Sequence, residues 1–114
     1  MSKVKEGDLI WLPDPGTQGS EQAGKRPAMV VSVDEFNDIG MAIVCAVTTH
    51  GGTSHATRTP LEVTIPGGLP IKGVVLCEQV RTVDWKERKA TTIANAGRTT
   101  LLEVRARLRK LLGV

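Results

Sequence analysis

A chain of 114 residues with 40% hydrophobic and 24% charged side chains can close one globular core without disulfide or metal staples. Its formal net charge of +3 suits a polyanionic partner but falls short of the clustered Lys and Arg that would demand one. The only aromatics are Trp11, Phe36 and Trp85, too few for a single-strand binder built on successive stacking platforms.

Short apolar runs broken by Gly, Pro, Asn and Asp predict a mainly β domain spanning residues 1–114. The first strand is expected over 8–12 (DLIWL), stopped by Pro13, Pro15 and Gly16. A second, rich in valine, is expected over 27–33 (PAMVVSV). Residues 34–40 read as a turn or a single helical turn. The longest apolar run, 41–49 (MAIVCAVTT), is expected to be a central strand. Alternation in 61–65 (LEVTI) marks a half-exposed strand, and 72–80 and 90–96 complete the set. Cys45 and Cys77 lie inside apolar runs and are expected to be buried, reduced thiols.

The period then changes. Leu101, Val104, Leu108 and Leu111 recur at helical spacing, with Leu112 alongside. Thr100 and Glu103 have capping-box spacing, which predicts a helix starting there, and Gly113 is placed to end it. Arg105, Arg107, Arg109 and Lys110 fall mostly on the other faces, as solvated cations near a helix C-terminus do. The expected architecture is a small curled sheet or barrel with one long C-terminal helix. No run reaches the length of a membrane span and the N-terminus has no apolar signal core, so the expected location is the cytoplasm.

Chemistry concentrates in 19–31 (GSEQAGKRPAMVV), where Glu21, Lys25 and Arg26 abut an apolar strand. Pro27 biases Arg26 towards an extended backbone at the strand's mouth. Glycines at 19 and 24 let Glu21 fold back towards Arg26, either as a structural ion pair or as part of a site. Thr48 and Thr49 end the longest strand, where a hydroxyl can serve a ligand phosphate or a local backbone group. His50, His55 and Arg58 share a Gly- and Ser-rich stretch; the histidine spacing matches no metal site, so neither a metal nor a cofactor is expected. Nucleotide-binding glycine motifs and nucleophile elbows are absent.

The segments GDLIWL, GSEQAGKRPAMVVS, FN, TT and GVVLCEQVRTVDW, followed by the terminal helix, fall in order along nearly the whole chain. In this the sequence resembles the MazF/PemK (Kid) family of bacterial toxin endoribonucleases, the G-S-E-Q-x-G-x-R-P block being the most specific element. The resemblance implies a small SH3-like β-barrel with a C-terminal helix, assembled as a homodimer. It implies metal-independent cleavage of single-stranded RNA at short sequences, with the 2′-OH as nucleophile and 2′,3′-cyclic phosphate and 5′-OH ends as products. It also implies a cognate antitoxin that is MazE-like, acidic and partly disordered.

Carried over by position, the catalytic residues are Arg26, Thr48 and the loop carboxylate Glu21. Substrate contacts are expected from Ser20, Gln22 and Lys25 before the second strand, and from Thr49, His50 and Arg58 after the third. Glu78 and Gln79 on the fifth strand complete the set. Kid-like members carry an arginine and an aspartate where this chain has Leu76 and Glu78, and a histidine where it has Ser20, so the MazF-type arrangement around Arg26 and Thr48 is the expected one. The Asp-Pro pair of the 13–18 segment sits one residue earlier than in many relatives. Two other readings share the same fold: a CcdB-like gyrase poison that binds protein, and an inactive RNA-binding homologue. The first lacks support in the terminal sequence RKLLGV, which carries no Trp.

Overall fold

The computed structural model describes residues 4–13, 25–49 and 61–114. Among these described residues, six strands and two helices follow in the order β1 (Asp8–Pro13), β2 (Lys25–Val30), α1 (Asp34–Asn37), β3 (Ala42–Thr48), β4 (Glu62–Thr64), β5 (Val74–Val83), β6 (Thr91–Asn95) and α2 (Arg98–Leu112). All paired strands are antiparallel, and they form one sheet in the order β4-β5-β3-β2-β1-β6. The architecture is the expected one, mainly β with a C-terminal helix. It is a half-barrel, with β4 and β6 at the two ends of the ladder.

Period-two alternation divides the strands between two cores. Leu9, Met29, Cys45, Val47, Val75 and Cys77 pack on one side with Leu101 and Val104 of α2. Ile10, Leu12, Ala28, Val30, Val44 and Val83 pack on the other with Trp85. The central strands are therefore apolar on both faces, which explains why their sequences run without polar interruption.

Strands β2 and β5 and helix α2 depart most from the sequence reading. Strand β2 begins at Lys25, because Pro13↔Lys25 and Leu12↔Arg26 extend its pairing with β1, and it ends at Val30. Strand β5 continues to Val83 through an irregularity described below. Helix α2 starts at Arg98 with Gly97 as its N-cap and no side-chain cap, so the Thr100–Glu103 capping box does not form. Thr100 is instead buried in the first turn, where the Leu101 N–H donates to the Gly97 carbonyl.

The C-terminal end matches expectation: Gly113 adopts the left-handed conformation, φ 76°, and its N–H donates to the Arg109 carbonyl at 2.8 Å. The apolar stripe is shorter than its spacing suggested. Leu101 and Val104 are buried and Leu108 is partly buried, while Leu111 and Leu112 are exposed. Arg105 also departs from the solvated-face reading. Its Nε donates to the Val31 carbonyl at 3.0 Å and its guanidinium pairs with Glu6 at 2.7 Å, tying the helix to the N-terminal segment and the end of β2.

Both cysteines are buried and unpaired by disulfide, as expected. Burial pushes the Cys45 thiol up to about 12 and the Cys77 thiol to about 11. These thiols are poor nucleophiles at neutral pH.

Candidate active site

The site arises where β2 and β3 part. Their ladder runs Val30↔Val44, Met29↔Cys45 and Ala28↔Ala46 and stops there. Pro27 follows on β2 and has no N–H to contribute. Beyond it, Lys25 and Arg26 on one strand and Val47 to Thr49 on the other border an open groove of about 790 Å³.

The same alternation that sorts the core places Arg26 with Ala28, and Thr48 with Ala46. Continuing the β2–β3 register by two residues sets Arg26 across from Thr48. The paired alanines between them and the interior leave room on that face. Arg26 is exposed and Thr48 half-buried. A guanidinium on a strand whose backbone is paired to β1 through Leu12 is held from a rigid element, not from a loop.

Gly73 fixes the other side of Thr48. With φ at 146°, its backbone lies so close to the end of β3 that an added Cβ would fall 2.1 Å from the Thr48 carbonyl oxygen. The start of β5 is thereby pressed against the residue that ends β3, and Thr48↔Val74 is the last rung of their ladder.

Of the residues singled out from the sequence, Arg26, Thr48, Lys25, Thr49 and Gln79 line this one groove. Glu78 is exposed on β5 and is not part of the lining. Ser20, Glu21, Gln22, His50 and Arg58 lie outside the described residues. Among the described residues no cluster of His, Cys, Asp or Glu is disposed to hold a metal ion.

Sequence reasoning missed Trp11, Val80 and Arg81, all of which contribute to the lining. Trp11 carried a visible signal, as one of three aromatics and a member of the GDLIWL segment. Arg81 carried none, because its position depends on an irregular strand pairing.

The chain is similar to known proteins along nearly all of its length. The profile of the family described as PemK-like, MazF-like toxin of type II toxin-antitoxin system matches residues 5–112. The endoribonuclease toxin MazF of Escherichia coli is 36% identical over 108 residues, covering 94% of this chain and 92% of that protein. The endoribonuclease PemK of Escherichia coli is 36% identical over 114 residues, covering 97% and 84%. Among solved structures, MazF from Deinococcus radiodurans superposes with a TM-score of 0.80 at 38% identity over 100% of both chains. A MazE-MazF structure from the same organism gives 0.81 at 36% identity, over 100% of this chain and 99% of that one.

Proposed function

The chain belongs to the PemK-like, MazF-like toxins of type II toxin-antitoxin systems, and we propose that it acts as a metal-independent endoribonuclease cutting single-stranded RNA at a short sequence. One observation carries the chemical part of this reading: residues 22 positions apart in sequence, Arg26 and Thr48, border the same end of one groove.

The reaction asks little nucleophilic chemistry of the protein. The 2′-OH of the substrate attacks the adjacent phosphorus and loses its proton to a base. The P–O5′ bond breaks, the 5′ oxygen takes up a proton, and the products are a 2′,3′-cyclic phosphate and a 5′-OH. The protein's task is to stabilise charge on the crowded phosphorus centre, which fixed cationic donors do well. Arg26 presents a planar fork matched to two phosphate oxygens, and Thr48 adds a neutral hydroxyl donor to the same group. With a pKa above about 12, a guanidinium is a source of charge and hydrogen bonds, not of protons. Glu21 is the carboxylate we assign to the same centre. A pH–rate profile of Glu21→Gln separates a base, whose loss removes the acidic limb, from a positioning role, which leaves it.

Partner and assembly follow the same family reading. The Deinococcus MazE-MazF structures support control by an antitoxin, which we infer to be acidic and partly disordered, as suits a groove lined by Lys25, Arg26 and Arg81. A homodimer is the expected assembly. Among the described residues no helix is long and apolar enough to cross a membrane.

The decisive experiment incubates purified protein with a long mixed-sequence RNA in excess EDTA, with Arg26→Ala in parallel, and types the product ends. Cuts at one short motif with 5′-OH ends, lost in the variant, are expected. Intact RNA with folded wild-type protein, or equal cutting by Arg26→Ala, would overturn the reading.

A further inference from the structure

Strand β5 does not stay in one register with β3. The pairing runs Thr48↔Val74, Val47↔Val75 and Ala46↔Leu76, then resumes at Cys45↔Val80 and Val44↔Arg81. While β3 advances one residue, β5 advances four, so Cys77, Glu78 and Gln79 form a three-residue bulge. The bulge is anchored, not loose. The Cys77 N–H donates to the Leu61 carbonyl at 3.3 Å, and the buried Cys45 thiol points at the Cys77 carbonyl at 4.0 Å.

An odd insertion exchanges the two faces of a strand. Had the register continued unbroken, Glu78 would stand opposite Val44. With the bulge, Arg81 stands there instead. Val83, two residues on, is buried in the same core as Ala42 and Val44, which confirms the phase. The groove wall therefore carries a guanidinium at the rung where regular pairing would have set a carboxylate. Glu78 is outside the lining and Arg81 inside it.

Arg81 is exposed, and among the described residues its side chain makes no hydrogen bond or ion pair. Four residues of β3 separate the Val44 rung from Thr48, about 13 Å along the strand. That offset separates Arg81 along the groove from the phosphate assigned to Arg26 and Thr48.

Resting on the endoribonuclease reading, we propose that Arg81 clamps a second backbone phosphate of the bound RNA, flanking the scissile one, and that the Cys77–Gln79 bulge exists to bring it there. Its role is affinity and register of the strand. It takes no part in the bond-breaking step, so its loss weakens binding of ground state and transition state alike.

The test uses a fluorescent single-stranded RNA carrying the site that wild-type protein cuts, with a 2′-deoxy nucleotide at the scissile position so that it binds without reacting. Affinity is measured over a salt series for wild type, Arg81→Ala, Arg81→Lys and Arg109→Ala, the last removing an exposed cation outside the groove. Arg81→Ala is expected to bind about three- to tenfold more weakly and to lower the slope of log affinity against log salt by about 0.7, one phosphate contact on a single strand. Its kcat on cleavable RNA should stay within about twofold of wild type. Arg81→Lys restores the slope, because a point charge suffices for that contact. An unchanged slope in Arg81→Ala, or an equal loss in Arg109→Ala, overturns the clamp while leaving the endoribonuclease reading intact. Wild-type protein that neither cuts nor binds RNA overturns both.

Discussion

Gly73 and Asn37 place no side chain in the groove, yet one fixes the end of β3 and the other a buried polar network. At Gly73 any side chain meets the Thr48 carbonyl at 2.1 Å, a contact that only backbone movement can relieve. Gly73→Ala is therefore expected to cost more than about 2 kcal/mol in urea unfolding and, in the fraction that folds, to cut RNA far more slowly, because the end of β3 must shift. Asn37 is fully buried. It accepts from the Ser32 hydroxyl and donates through Nδ2 to the Ser32 carbonyl at 3.0 Å, while its own carbonyl accepts from Trp85 Nε1 at 3.0 Å. Ser32 Oγ in turn accepts from the Ile43 N–H at 2.9 Å. Asn37→Ala strands the Ser32 hydroxyl and carbonyl while the Trp85 bond to the backbone survives, and should lower stability by about 2–4 kcal/mol, read from the urea midpoint. Cleavage per folded molecule should remain near wild type, since none of these side chains lines the groove.

Among the elements, α2 is attached at its centre by a polar clamp beside its apolar contact. Leu101 and Val104 supply its buried contact, and Arg105 adds the Val31 carbonyl and the Glu6 carboxylate. The pair is about one-quarter exposed on both sides, so screening limits its worth. Arg105→Ala is expected to cost about 1–2 kcal/mol, with the larger share from the Val31 carbonyl left without its donor, and Arg105→Lys should recover only part of it. Thermal unfolding of the two variants side by side checks this. A loss in Arg105→Lys as small as a few tenths of a kcal/mol would mean that charge alone, not the planar fork, does the holding.

At the level of the whole molecule, the two thiols tie stability to alkaline pH. Both stay protonated in the fold to values above the ordinary 9.0, Cys77 to about 11 and Cys45 to about 12, with burial as the main cause. Below pH 9 folded and unfolded chains hold these protons equally, and the thiols add no pH dependence. Above it the unfolded chain loses them first, so stability falls with rising pH until the folded values are reached. Urea unfolding across that window should show a decline that shrinks in a Cys45→Ala, Cys77→Ala double variant. Native protein should likewise resist thiol alkylation at neutral pH and react fully once unfolded.

The sequence by itself determined the element order, the central place of the 41–49 run and the two residues proposed as the reactive pair. Apolar runs, turn residues and the R-P motif are local signals, and local signals survive in a one-dimensional string. Arg26 and Thr48 were legible as residues at strand ends, and the family resemblance supplied their proposed roles. Tertiary structure alone decided the start of α2, where burial of Thr100 displaced a capping box that its spacing allowed. It alone decided which charged residue of β5 faces the groove. The sequence reading put Glu78 in the site and left Arg81 out, and a three-residue slip in strand pairing reverses their faces. Register is a property of two strands at once, set by what each buries against the other, and no residue in either strand announces it.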